Sequence, residues 1–140
     1  MILLVEDSED DVFLMRRALA RTKLNFPMHV ATDGQQAVDY LSGNGQYADR
    51  NAHPLPTCIF LDLKLPFVHG FEVLEFIRSQ PALSDIAVVI LTGSPEDRDR
   101  RRAEELGAKA YLVKPPTAEI LLDTIQRLPE CAGRAGVSPV

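Results

Sequence analysis

Short apolar runs alternate with longer amphipathic segments along the chain, and this alternation constrains the fold more than any other feature. One of these runs, Met28–Ala31, contains His29 and is interpreted as an edge strand. Runs that are almost wholly apolar are typical of strands buried on both faces of a parallel sheet. Five strands alternating with five helices predict a doubly wound α/β domain with a five-stranded parallel sheet. The five runs are Ile2–Val5, Met28–Ala31, Cys58–Leu61, 87–91 and Ala110–Val113.

Capping residues predict where the helical segments begin. For the fourth helix, Ser94 is the expected cap, Pro95 the first helical residue and Gly107 the C-terminal cap. Residues 42–57 are rich in Gly, Asn, Asp and Pro, which predicts a long loop before the third strand. Pro129 is expected to end the fifth helix. In chain order, the caps or first residues of the five helices are expected to be Ser8, Asp33, Gly70, Ser94 and Thr117.

Composition narrows the classes of partner. A chain of 140 residues with 46% hydrophobic and 25% charged residues can bury a core without disulfides or structural metal. The net charge of −5 argues against direct nucleic-acid binding. Four arginines between residues 98 and 102 alternate with acidic residues and are interpreted as a solvated helix face. No segment approaches the roughly 20 apolar residues of a membrane span, so no membrane contact is expected.

The two cysteines are expected to be unpaired. Cys58 lies in an apolar run and is predicted to be a buried thiol. Cys131 lies in a patternless segment, residues 130–140, that is predicted to be a flexible tail. Two free thiols are typical of a reducing compartment, which predicts a cytoplasmic protein.

Polar residues follow four of the five predicted strands, at the point where each strand ends. Glu6 and Asp7 follow the first strand, Asp62 the third, Thr92 the fourth and Lys114 the fifth. Ligands of open parallel sheets bind outside the carboxyl ends of the strands, where the strand order reverses. We therefore expect these five side chains to meet at one edge of the sheet.

This set of side chains suits metal-assisted phosphoryl transfer. Three carboxylates in one place repel each other and need a cation, and hard oxygen ligands favour Mg²⁺. With its charge screened, Asp62 can attack a phosphoryl group as a carboxylate nucleophile. Lys114 and the hydroxyl of Thr92 can then bind the phosphoryl oxygens.

Each residue also has a plainer interpretation. Glu6 and Asp7 are polar residues that can simply open the first helix. Thr92 can cap a loop, and Lys114 can neutralise an acidic pocket without any phosphate. Tyr111 can be a static aromatic residue of the core or surface.

Four segments together resemble the response-regulator receiver domains of two-component signalling, of the chemotaxis-regulator type. They read LLVEDSEDD, IFLDLKLP, VVILTGS and AYLVKPP, and the resemblance covers roughly residues 1–128. It implies a flavodoxin-like strand order, 2-1-3-4-5. It also implies a receiver domain over residues 1–129, followed by the tail.

The resemblance assigns a role to each site residue. Asp62 is the phosphoacceptor, Lys114 binds the phosphoryl group, and Thr92 with Tyr111 forms the switch. In this family Mg²⁺ is bound directly by two aspartates, which correspond to Asp7 and Asp62. The remaining metal contacts implied are a metal-bound water held by Glu6 and the backbone carbonyl of Lys64. The resemblance also implies a cis peptide bond between Lys114 and Pro115.

The implied function is that of a single-domain response regulator in a phosphorelay. A sensor histidine kinase would phosphorylate Asp62, and slow autodephosphorylation would reset it. The loop at 42–57 and the EDSEDD opening resemble regulators paired with phytochrome-type kinases. Output would pass through the surface of the fourth helix, fifth strand and fifth helix, to a downstream protein or a second copy of the chain.

Two other functions use part of the same pattern. A phosphohydrolase of the haloacid dehalogenase type also has an aspartyl nucleophile, but needs a second Asp two residues later, where this chain has Lys64. A flavodoxin-like cofactor binder needs a Ser/Thr/Gly-rich phosphate loop after the first strand, where this chain is acidic. Both fit the sequence less well than a receiver.

Overall fold

A five-stranded parallel sheet forms the centre of the computed structural model, which describes residues 1–132. The strand order is β2-β1-β3-β4-β5, which confirms the expected order and the edge position of β2. All four strand pairs are parallel. The strands are β1 (Ile2–Val5), β2 (Met28–Ala31), β3 (Cys58–Leu61), β4 (Ala87–Thr92) and β5 (Ala110–Val113).

Helices follow each strand, and their bounds mostly match the capping signals. Ser8, Asp33 and Thr117 each accept a hydrogen bond from a backbone N–H in the first turn, as predicted. Gly107 has a φ of 91° and ends the fourth helix region, also as predicted. The helices are α1 (Glu9–Arg21), α2 (Gly34–Ser42), α3 (Gly70–Ser79), α4 (Asp97–Glu105), α5 (Ala118–Arg127) and α6 (Pro129–Ala132), with a 3-10 helix at Gly45–Tyr47.

The predicted start of α4 is wrong. The helix begins at Asp97 with Glu96 as its cap residue, so Pro95 lies before the helix. The Ser94 hydroxyl donates a hydrogen bond to Asp99 at 2.8 Å and accepts one from the N–H of Glu96. The Ser94 carbonyl also accepts a bond from the Tyr111 hydroxyl. Because these contacts use Ser94 to tie the β4–α4 connection down, the helix starts later.

The sheet has an apolar layer on each face, which explains why its inner strands are apolar throughout. Alternate residues of one strand point to opposite faces. Leu3, Ile59 and Leu61 pack on the face covered by α2 and α3. Leu4 and Phe60 pack on the other face, with residues of α1 and α5. Among residues 1–132, no helix is both long enough and apolar enough to cross a lipid bilayer.

The predicted long loop before β3 is held in one conformation by Arg50. Its guanidinium donates hydrogen bonds to the carbonyl oxygens of Tyr40, Leu41 and His53. The Tyr40 hydroxyl donates in turn to the carbonyl of Pro54 at 2.8 Å. The segment is therefore tied to α2 by contacts that composition alone does not reveal.

The prediction for the cysteines is wrong. Cys131 is fully buried and forms a disulfide with Cys58, 73 residues earlier in the chain. It belongs to α6, which overlaps the start of the predicted tail. Cys58 is buried as expected, but it is not a free thiol. Residues 133–140 of that tail lie outside the described part of the chain.

Candidate functional site

The carboxyl edge of the sheet gathers the polar residues that the sequence singled out. Because β1, β3, β4 and β5 run parallel, their last residues lie side by side. Glu6 and Asp7 follow β1, Asp62 follows β3, and Lys114 follows β5. Thr92 is the last residue of β4. The sheet topology thus brings together residues that are more than a hundred positions apart, such as Glu6 and Lys114.

Three carboxylates form a compact acidic cluster at this edge. One oxygen each from Glu6, Asp7 and Asp62 lies within 4.8 Å of the others. Glu6 is 2% exposed and Asp62 is 6% exposed, whereas Asp7 faces solvent. Burial raises the pKa of Glu6 to about 7, the hydrogen bond from Lys114 opposes this, and the charge of Asp62 adds to it. Hard oxygen donors with one solvent-facing side fit a divalent cation that keeps some of its waters.

Lys114 supplies the positive charge of the site. Its ammonium contacts Glu6, and it lies 2.9 Å from Asp62 Oδ2 and 2.9 Å from Asp11 Oδ2. Burial alone would lower the pKa of Lys114, but the hydrogen bonds to Asp62, Glu6 and Asp11 outweigh it and raise the pKa. The ammonium therefore stays protonated and directed at Asp62. The peptide bond between Lys114 and Pro115 is cis, as expected.

Asp11 is a site residue that the sequence reasoning missed. The sequence analysis assigned it no role, yet its carboxylate pairs with Lys114. The available signal was its place in the EDSEDD segment, four residues after Asp7 and in the first turn of α1. Its contact with Lys114 joins positions 103 residues apart, which spacing alone cannot predict.

The Thr92 hydroxyl is buried at the carboxyl end of β4, on the edge of the sheet where the carboxylates lie. Thr92 is 1% exposed, and its Oγ1 makes no hydrogen bond to any residue of the range 1–132. An unsatisfied buried hydroxyl costs free energy. A donor kept in this state at the end of β4 is suited to an oxygen-rich ligand at the carboxylate cluster.

Tyr111, the aromatic residue that the resemblance assigns to the switch, is buried in this structure. The residue is 8% exposed, and its hydroxyl donates to the Ser94 carbonyl at 2.8 Å. The Arg100 guanidinium lies 4.6 Å from the ring centre, a cation–π distance. Burial raises the pKa of Tyr111, so its hydroxyl remains a donor.

The loop after Asp62 is packed between two glycines. A Cβ on Gly70 would lie 2.3 Å from the Asp62 carbonyl oxygen, and one on Gly34 would lie 2.1 Å from the Val68 carbonyl oxygen. These glycines are the first residues of α3 and α2. Within the loop, the Lys64 N–H donates to Asp62 Oδ1 at 3.3 Å, and the Lys64 side chain is exposed. The two helices thus fix the backbone that carries Asp62 and Lys64.

Comparisons with known proteins place this geometry in context. The family model described as response regulator receiver domain matches residues 2–126. The Probable methanogenesis regulatory protein FilR2 of Methanothrix harundinacea is 38% identical over 130 residues, covering 93% of this chain and 81% of the relative. Response regulator Rcp1 of Synechocystis is 36% identical over 126 residues, covering 90% and 84%.

Solved structures agree with the sequence matches. The bacteriophytochrome response regulator RtBRR superposes with a TM-score of 0.83 at 41% identity, covering 99% of this chain and 81% of that one. The Mn²⁺-bound form of Rcp1 superposes with a TM-score of 0.76 at 33% identity, covering 99% and 98%. In that structure Rcp1 holds a divalent metal ion.

Proposed function

Because the chain belongs to the response regulator receiver family and acts in phosphorelay signalling, we propose that Asp62 is its phosphoacceptor. The observation that carries the proposal is the contact of Lys114 with Asp62 inside the cluster of Glu6, Asp7 and Asp62. A buried carboxylate held by one ammonium, beside two further carboxylates, suits a nucleophile that works with a metal ion.

The proposed metal is Mg²⁺. Receiver domains bind a divalent metal, and the all-oxygen donor set of Glu6, Asp7 and Asp62 suits a hard cation. Asp7 and Asp62 are proposed as direct ligands, Glu6 as a ligand through water, and the Lys64 backbone carbonyl as the remaining protein ligand. When bound, the ion would neutralise the carboxylates and the charge on the phosphoryl oxygens.

The proposed reaction needs little movement of the chain's own groups. The Asp62 oxygen forms a bond to phosphorus while the bond from phosphorus to a ring nitrogen of the kinase histidine breaks. The ring, protonated on its other nitrogen, keeps the bonding electron pair and leaves as neutral imidazole. The Lys114 ammonium, now 2.9 Å from Asp62, remains close enough to bind a phosphoryl oxygen. The Thr92 hydroxyl would donate to another, which satisfies its buried O–H. The chain acts as a switch rather than as a turnover enzyme.

The proposed phosphodonor is a phytochrome-type histidine kinase in the cytoplasm. Relatives that match over most of the chain are named as bacteriophytochrome and phytochrome response regulators. A groove of about 360 Å³ is lined by Leu14 and Arg17 of α1 and by Pro115 and Pro116, the two residues that follow Lys114. Its position next to Lys114 makes it the surface on which we place the kinase.

Phosphotransfer profiling tests this function. The protein is mixed with a purified phytochrome-type kinase carrying labelled phosphohistidine, and with an unrelated kinase as a control. We expect rapid label transfer from the first kinase, loss of transfer on chelation and recovery with Mg²⁺. Multiple turnover of small phosphate esters without a stable phosphoprotein would instead identify a hydrolase.

Switching is expected to involve the segment that joins β4 to α4. If Thr92 moves toward the phosphoryl group, it displaces Ser94, whose carbonyl holds Tyr111. A few kcal/mol of differential contact is enough to shift such an equilibrium. The surface of α4, β5 and α5 would change with it and form the proposed contact for a downstream protein or a second copy.

Amide exchange checks this switching prediction. Addition of beryllofluoride and Mg²⁺ should slow exchange over residues 94–106 and at Tyr111. In Thr92→Val the change should disappear while stability stays near that of the wild type, because the lost hydroxyl has no partner among residues 1–132. Identical exchange with and without beryllofluoride in the wild type would refute the switch.

Lys64 is predicted to prolong the phosphorylated state. Its backbone is tied to Asp62, while its side chain is exposed and makes no ion pair within residues 1–132. A long cation here can lean over the phosphoryl group and obstruct the attacking water. Phospho-Asp62 should therefore decay faster in Lys64→Asn at fixed Mg²⁺, measured by loss of label. Lys109→Asn is the matched control, because Lys109 is an exposed lysine away from Asp62. An unchanged or slower decay of phospho-Asp62 in Lys64→Asn would rule out obstruction.

A further inference from the structure

We propose that Cys58 and Cys131 form a reversible redox site that fixes the C-terminal helix to the sheet. Cys58 is the first residue of β3, and Cys131 lies in α6. The proposed oxidant is a low-molecular-weight disulfide such as oxidised glutathione. The site is proposed to be reversible because the short helix that carries Cys131 can detach from the sheet without global unfolding.

The surrounding contacts hold the two residues together in addition to the disulfide. The Cys131 N–H donates to the Leu128 carbonyl at 2.9 Å, and the Thr57 hydroxyl donates to the Cys131 carbonyl at 3.3 Å. Both sulfur-bearing side chains are fully buried in the apolar layer shared with α1 and α5. The Cα atoms are 4.5 Å apart, within the range that a disulfide spans. Packing of α6 therefore presents the Cys131 sulfur to that of Cys58.

Cys131 is the residue that reacts first. Cys58 lies in a central strand that is paired on both sides, so strand opening approaches global unfolding. In contrast, α6 has four residues and cannot be stable without its contacts with the sheet. Local undocking of α6 thus brings Cys131 into solvent while the rest of the fold stays intact.

The exchange then takes two balanced steps. The Cys131 thiolate attacks oxidised glutathione, forming a mixed disulfide and releasing one glutathione thiolate, which takes up a proton. When α6 docks again, the Cys58 thiolate attacks the Cys131 sulfur and releases the second glutathione. Two protein thiols are oxidised and one glutathione disulfide is reduced to two thiols. Excess reduced glutathione drives both steps backward.

The disulfide lies far from the proposed phosphorylation site. Cys58 opens β3 and Asp62 follows its other end, so they are separated by roughly 13 Å of extended chain. Oxidation should therefore leave phosphoryl uptake unchanged and act on the attachment of α6. Linking residues 73 apart also restricts the unfolded chain, which raises the melting temperature by on the order of 10 °C.

Peptide mapping under non-reducing conditions tests the proposal. The 140-residue protein is equilibrated with glutathione buffers of rising disulfide fraction, quenched in acid and alkylated. We expect an internal Cys58–Cys131 crosslink that disappears in excess thiol, together with the rise in melting temperature and slower amide exchange in Pro129–Ala132.

Cys131→Ser is the matched variant. It should show no crosslink, no redox-dependent change in melting temperature and unprotected amides in α6 under every buffer. The proposal is overturned if both wild-type thiols stay alkylatable in oxidised glutathione. It is equally overturned if the products are only mixed disulfides or crosslinks between chains.

Discussion

Replacing Asp62 with asparagine is expected to abolish phosphoryl uptake while leaving the fold intact. Asparagine has nearly the same shape and keeps an oxygen that can accept from Lys114, now bonded to Asp62 at 2.9 Å. An amide is not a nucleophile toward phosphorus, so no acyl phosphate can form. The loss of one charge removes repulsion with Glu6 but also weakens the attraction to Lys114, so the two effects on folding oppose each other.

The measurement is label incorporation from a phosphorylated kinase, with circular dichroism as a check on folding. Asp10→Asn is the matched control, because Asp10 is an exposed residue of α1 and its replacement removes the same charge. Label at the wild-type level in Asp62→Asn would show that the phosphoacceptor is another residue.

Gly70→Ala is expected to destabilise the fold strongly. The new Cβ would lie 2.3 Å from the Asp62 carbonyl oxygen and 2.5 Å from the Leu63 Cα. Both are backbone atoms of the loop that leaves β3, so neither can move without displacing Asp62. Overpacking against backbone costs about 3 kcal/mol of unfolding free energy. The same displacement should weaken binding of Mg²⁺.

Urea unfolding and calorimetric metal titration measure the two effects. Gly93→Ala is the matched control, since a Cβ there meets nothing within 4 Å and Gly93 also follows a strand that ends at the site. Equal stability of Gly70→Ala and Gly93→Ala would show that the loop between β3 and α3 accommodates the added methyl group, and would contradict the expected clash with the Asp62 carbonyl.

The sequence predicts this fold well because its strands are buried on both faces. A run such as Cys58–Leu61 can be apolar throughout only when helices cover both sides of the sheet, so strand bounds and fold class follow from one pattern. Local caps at Ser8, Asp33 and Thr117 are also readable, since each involves residues three positions apart. The site residues follow because the ends of parallel strands must meet.

The errors all involve contacts between residues distant in sequence. Serine is a common helix cap, but the Ser94 carbonyl accepts a hydrogen bond from Tyr111, 17 residues later, and Ser94 lies before the helix. Cys131 looks incidental until α6 packs on β3. Asp11 looks like an ordinary acidic residue of a first turn until Lys114 reaches it. Such contacts depend on tertiary packing and cannot be predicted from local sequence patterns.

Mapping the phosphorylated residue in the wild-type protein tests the central claim most directly. The protein is phosphorylated with a small phosphodonor and Mg²⁺, reduced with borohydride to convert an acyl phosphate to a stable alcohol, and digested for mass spectrometry. We expect a single modified residue, Asp62, and no modification when Mg²⁺ is chelated. Modification of Asp7 or Asp11 instead of Asp62, or no modification in the presence of Mg²⁺, would contradict the assignment of Asp62 as the phosphoacceptor.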